Sequence, residues 1–129
     1  MGKSALVAAG FALMLISCGD RSVEAADVFV SITVTNDRVD VPVPDPVHVR
    51  GHGHVIHWEI KTPGFTFPQN GILVQRDTAR EFDGGHIAEQ GTKFQLNDKN
   101  SFKKEYKYTV TIMKGSVALT PLDPSIAND

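Results

Sequence analysis

The feature that most constrains this chain is a two-residue alternation of β-branched side chains. From Asp27 to Thr35, Val28, Val30, Ile32 and Val34 share one parity, while Ser31, Thr33 and Thr35 share the other. A period of two sends the two sets to opposite faces of a half-buried strand. After position 18 the chain holds thirteen Val and only four Leu. Val is stiff at χ1 and packs well on a pleated surface, so this composition favours strands. No segment carries a comparable helical period, although Asp77 to Glu81 could close one turn.

The same reading places further strands along the chain. Val39, Val41 and Val43 alternate until Pro44-Asp45-Pro46, where the missing N–H of proline interrupts a ladder. Val47 to Val49 is short. His54 to Ile60 follows the Gly51-His52-Gly53 turn, with Ile56, Trp58 and Ile60 on one face and Val55, His57 and Glu59 on the other. Residues 61–71, rich in Pro and Gly, read as a long loop. Ile72 to Gln75, Arg80 to Phe82, the segment around Phe94 and Leu96, the alternating Tyr106, Tyr108, Val110 and Ile112, and Val117 to Leu119 complete the set. Asp83-Gly84-Gly85, Asn97-Asp98-Lys99-Asn100 and Lys114-Gly115 read as turns, and residues 121–129 as a coil packed on the body. About seven or eight short strands with frequent turns predict an all-β sandwich.

The N-terminus reads as an address. Lys3 precedes an apolar run from Ala5 to Ile16 that ends at Ser17-Cys18. That run is shorter than the ~20 residues of a spanning helix and has the layout of a secretory signal. Leu15-Ile16-Ser17-Cys18 resembles the bacterial lipobox. The resemblance implies that Cys18 receives lipid and becomes the first mature residue. It divides the chain into a signal peptide (1–17), a lipidated cysteine with a tether (18–26) and a β-sandwich domain (27–129). Gly19 stands where an Asp often marks inner-membrane retention in lipoproteins, which favours the outer membrane. Cys18 is the only cysteine, so neither an intrachain disulfide nor a Cys-rich zinc site can form. The net charge of -2 argues against a broad nucleic-acid footprint.

Two segments resemble the cupredoxin family. Gly53-His54-Val55-Ile56-His57-Trp58 is similar to its pattern of Gly, two variable residues, a β-branched residue, one variable residue and Trp. Tyr106-Lys107-Tyr108-Thr109-Val110 is similar to its Tyr-x-Tyr-x-Cys strand. The resemblance implies a Greek-key sandwich. An immunoglobulin-like sandwich is the alternative, because it shares the buried Trp and the late Tyr. A blue-copper site needs a Cys thiolate and two His. Here Val110 occupies the thiolate position, Met113 falls where the second His would follow, and the loop after Trp58 has no His. The ordinary electron-transfer copper site is therefore not expected.

Four of the five His fall in ten residues: His48, His52, His54 and His57. Imidazole is a common ligand for copper and zinc. On an extended backbone His52 and His54 share a side, and His48 lies across the turn. These three, with Met113 as a soft addition, form a candidate metal site; parity sends His57 to the other face. The loop holding Phe65 and Phe67 is a candidate partner-binding loop if either ring is exposed, and a sandwich plug if both are buried. Catalysis finds little support. His57 and Glu59 share a strand face, but no Ser stands in an activating motif. Asp77, Glu81 and Asp83 beside Arg76 and Arg80 read as a solvated loop of mixed charge. The expectation is a non-catalytic, lipid-anchored periplasmic module that binds an envelope protein and needs no cofactor. Copper or zinc binding through the histidine hairpin is the alternative.

Overall fold

Alternation becomes pairing in the computed structural model, which describes residues 27–129. The expected signal peptide, tether and Cys18 lie outside the described residues. The strands in chain order are β1 (Asp27–Ile32), β2 (Val34–Thr35), β3 (Arg38–Val39), β4 (Val47–Val49), β5 (His54–Ile60), β6 (Ile72–Val74), β7 (Phe82–Ala88), β8 (Lys93–Asp98), β9 (Glu105–Val110), β10 (Met113–Lys114), β11 (Val117–Ala118) and β12 (Ser125–Asn128). One four-stranded sheet has the order β1-β5-β8-β7, and the other β4-β12-β9-β6. The pairs β1–β5 and β4–β12 are parallel, and the other neighbours in both sheets are antiparallel. Two small hairpins, β2–β3 and β10–β11, complete the architecture. The all-β class is as the sequence implies.

The inner faces meet in one core. Val30, Ile32, Ile56, Trp58 and Phe94 from the first sheet pack with Val47, Val49, Tyr108, Val110 and Ile126 from the second, all essentially without solvent contact. Trp58 is the largest of them. Its indole N–H donates to the Tyr108 hydroxyl at 3.1 Å, which satisfies the polar atom that burial would otherwise leave bare. The Asn36-Asp37 turn has positive φ at both residues (52° and 59°), the geometry that matches strand twist in a tight hairpin.

Three details depart from the alternation. Val41 and Val43 are 61% and 68% exposed instead of buried. Regular pairing stops at Val39 because Pro42 and Pro44 supply no N–H, and only Val43 bridges to Ser31. Asp83-Gly84-Gly85 is a bulge inside β7, not a turn. Gly84 has φ +68°, a left-handed conformation that favours glycine at the bulge. The tail is not coil: Ser125–Asn128 is an inner strand between β4 and β9. Its polar ends hid it. The Ser125 N–H donates to Asp45 at 2.9 Å, and the Asn128 amide to Asp98 at 3.1 Å.

The strands define two poles. β1 and β5 begin, and β4, β8 and β12 end, at the pole where Asp27 enters the domain; β9 also begins there. The Phe65–Phe67 loop and the two small hairpins lie towards the opposite pole.

Candidate functional site

The histidine hairpin does not assemble as strand parity implies. Gly51 and Gly53 have φ of +85° and +65°, so the backbone around His52 is not extended and the alternation rule lapses there. His54 opens β5 facing inward, is 8% exposed, and directs Nε2 to the Arg50 carbonyl. His52 is exposed. His48 is also exposed, with Nδ1 3.0 Å from an Asp129 carboxylate oxygen. Among the described residues, no three His, Cys, Asp or Glu side chains are grouped to hold a metal ion.

Met113 is distant from this hairpin. His48 pairs with Ala127 and Ala127 with Glu105, at the start of β9, whereas Met113 follows the far end of that strand. At ~3.3 Å per residue the separation is roughly 17 Å or more. Met113 instead bridges to Thr66. Titration with Cu(II) or Zn(II) is accordingly expected to show only weak binding. Tight stoichiometric binding, lost when His48, His52 and His54 are all replaced by Ala, would contradict this geometry.

The aromatic loop closes the sandwich. Phe67 is 4% exposed and meets Phe94 edge-on at 5.7 Å, while Phe65 is half-buried against the core. Phe67 therefore plugs the sandwich end, while Phe65 keeps part of its ring at the surface. The pairing of His57 with Glu59 is also undone. His57 lies 3.4 Å from Asp27 and stacks on Phe29 at 4.9 Å, whereas Glu59 accepts from Lys61 at 2.8 Å. Val110 is fully buried among apolar side chains.

What the sequence concealed is a buried polar lattice at the N-terminal pole. Glu81, read from sequence as a solvated loop residue, is 1% exposed. It accepts from the Ser101 N–H at 2.7 Å, the Phe102 N–H at 3.0 Å and the Ser101 hydroxyl. Burial pushes its carboxyl up, but these hydrogen bonds and the nearby Lys99 outweigh burial and hold it below the ordinary value. Asn100, with φ of 52°, donates its amide to the carbonyls of Val49, Gly51 and Asp129 at 3.2, 2.5 and 3.2 Å. It thus ties β4, the hairpin loop and the tail together.

Asp98 lies behind them. One carboxylate oxygen accepts from the Asn100 N–H at 2.9 Å and the Asn128 amide at 3.1 Å. The other oxygen, with Asn100 Oδ1 and Asn128 Oδ1, is buried without a hydrogen-bond donor among the described residues. Burial raises the Asp98 carboxyl to about 6, with a smaller push from Glu81; the two hydrogen bonds and the His54 imidazole oppose it. Only the cluster of Asn and Asp in residues 97–100 hinted at this lattice, and that pattern reads equally as an exposed turn.

Several clefts open on the surface. A cleft of about 520 Å³ lies at the opposite side, lined by residues including Thr35, Arg38, Asp40, Val41 and Leu122. At the N-terminal pole, Arg76, Lys104 and Phe102 border a smaller one of about 280 Å³. No family model matches the chain, and no curated protein matches it either.

Proposed function

We propose that the protein is a lipid-anchored, periplasm-facing binding module of the cell envelope, without catalytic activity, whose far-side cleft receives a protein partner. The observation that carries this reading is the position of Cys18. The single cysteine closes the apolar run, and residues 19–26 separate it from Asp27, where the first strand starts. Lipid on Cys18 would hold the N-terminal pole towards the membrane. The cleft lined by Arg38, Asp40 and the exposed Val41 would then face away from it. Its mixture of charge, hydroxyl and apolar surface suits a protein surface. A Gly19 after the lipid site favours the outer membrane.

Within the β-sandwich class, a Greek-key, cupredoxin-like arrangement is favoured over an immunoglobulin-like one. Two parallel strand pairs depart from the antiparallel sheets of the immunoglobulin sandwich. The histidine hairpin lends less support to metal handling, since His54 is turned inward onto the Arg50 carbonyl.

The test is metabolic labelling with an alkynyl fatty acid in a bacterial host, together with a photo-crosslinking residue at Val41. Wild type is expected to carry the label, fractionate with membranes and form one discrete adduct through position 41. Cys18→Ala is expected to lose the label. A wild-type protein without fatty acid overturns the anchor, and a labelled protein without an adduct at position 41 overturns the cleft.

A further inference from the structure

We propose that the N-terminal pole of the sandwich is itself a membrane-contacting surface that docks on anionic lipid headgroups; this rests on the lipid-anchor reading. The tether limits how far the pole can stand from the bilayer. The chain from Cys18 to Asp27 can extend no further than roughly 30 Å at ~3.3–3.6 Å per residue. A domain of this size has a radius of gyration of about 13 Å. A lipidated Cys18 therefore keeps the pole where β1 begins within about one domain diameter of the bilayer.

The pole also presents basic side chains. Three loops form this pole, at residues 50–53, 75–81 and 99–104. They carry Arg50, Arg76, Arg80, Lys99, Lys103 and Lys104, all exposed, in a chain whose net charge is -2. Their acidic members are Asp77 and Glu81. Asp77 is held by the N–H groups of Glu81 and Phe82 at 2.7 and 2.9 Å, and Glu81 is turned into the body. Among the neighbouring acids, Asp129 faces His48 and Arg50 at 3.0 and 3.6 Å and accepts from the Lys103 ammonium at 2.6 Å, Asp27 faces His57, and Asp83 and Glu105 are exposed. Arg76, Arg80, Lys99 and Lys104 then stand outward against the two exposed carboxylates of Asp83 and Glu105. Basic side chains beside an anionic leaflet are each attracted to it over about a Debye length.

Phe102 adds an apolar contact to these charges. It is 54% exposed and stands between Ser101 and Lys103-Lys104. An exposed ring among lysines has the amphipathic character of a membrane interface, with the ring entering the headgroup boundary and the ammonium groups meeting phosphates. The loop is braced for this. Glu81 fixes the N–H groups of Ser101 and Phe102, and Asn100 ties the same loop to Val49, Gly51 and Asp129. Ordering the loop on contact then costs little.

The experiment uses the mature lipidated protein, purified from membranes and reconstituted in vesicles. Lipid blocks the Cys18 thiol, so Thr78→Cys beside Phe102, or Val117→Cys on the β10–β11 hairpin, accepts a single nitroxide. On vesicles with 30% phosphatidylglycerol, the label at position 78 is expected to gain oxygen accessibility and lose accessibility to a polar relaxant. The label at position 117 is expected to stay as in water. The change at position 78 is expected to fall to the level of pure phosphatidylcholine in 1 M salt and in Lys103→Glu/Lys104→Glu. Equal, water-like accessibility at both positions on the anionic vesicles would overturn the docking. So would a change at position 78 of the same size on neutral lipid. A second nitroxide per chain, or failure of the protein to float with vesicles, would instead break the lipid-anchor reading and remove the basis of the docking.

Discussion

Trp58→Ala is expected to lower the unfolding free energy by about 3–5 kcal/mol, the range for truncating a fully buried large aromatic. Trp58 has no solvent contact, lies in the middle of β5 and touches both Tyr108 and Phe94. The loss has two parts. A cavity opens between the sheets, and the buried Tyr108 hydroxyl loses the indole N–H that donates to it. For a domain holding ~5–15 kcal/mol in total, this removes a large share of stability. Urea denaturation followed by far-UV circular dichroism measures it. Trp58→Phe isolates the second part and is expected to cost about 1–3 kcal/mol, because most of the ring volume remains but the hydroxyl is orphaned. Adding Tyr108→Phe should then recover part of that loss, since no unpaired polar atom is left. A Trp58→Ala variant within 1 kcal/mol of wild type would contradict the packing described for the core.

Acidification from pH 7 to pH 5 is expected to stabilise the fold, and Asp98 is the reason. Its carboxyl is raised from an ordinary 3.8 to about 6, first by burial. A group whose folded value is raised contributes stability that is fully present below the unfolded value and lost as pH rises through the folded value. The window is therefore about pH 4 to 7. The shift corresponds to about 1–3 kcal/mol once solvent screening is allowed for. Protonation supplies a donor to a cluster that holds three buried oxygens without one. Glu81 has the opposite sign. Its carboxyl is held below 4.5, so its contribution is lost as pH falls through that lower value. Stability should peak near pH 5.

Asp98→Asn places a neutral donor permanently in this lattice. It is expected to raise the melting temperature at pH 7 and to flatten the profile between pH 5 and 7. A variant less stable at pH 7 with an unchanged slope would show that another group governs the titration.

Much of the sandwich was legible because its chemistry repeats. His54 to Ile60 was bounded correctly, and Val30, Ile32, Ile56, Trp58, Tyr108 and Val110 all turn inward as their parity requires. What escaped is where local chemistry competes with long-range partners. β12 pairs with residues far away in sequence, and three of its four side chains are polar or small, so no apolar rhythm marks it. Asp98 and Asn100 look like turn formers, yet their hydrogen bonds reach Val49, Gly51, Asn128 and Asp129. The histidines of the hairpin depart from their parity for a local reason: two glycines at positive φ break the extended geometry that parity assumes. Phe65 and Phe67 have no period to set their direction, since they lie in a loop; Phe67 joins the core and Phe65 packs half-buried against it.

The most direct test of the central claim is intact-mass spectrometry of the mature protein extracted from bacterial membranes. The account predicts a chain that begins at Cys18, carries a mass increment of a diacylglyceryl group with or without an additional acyl chain, and has no free thiol. A chain that retains residues 1–17, or one processed with Cys18 left as a free thiol, would contradict it.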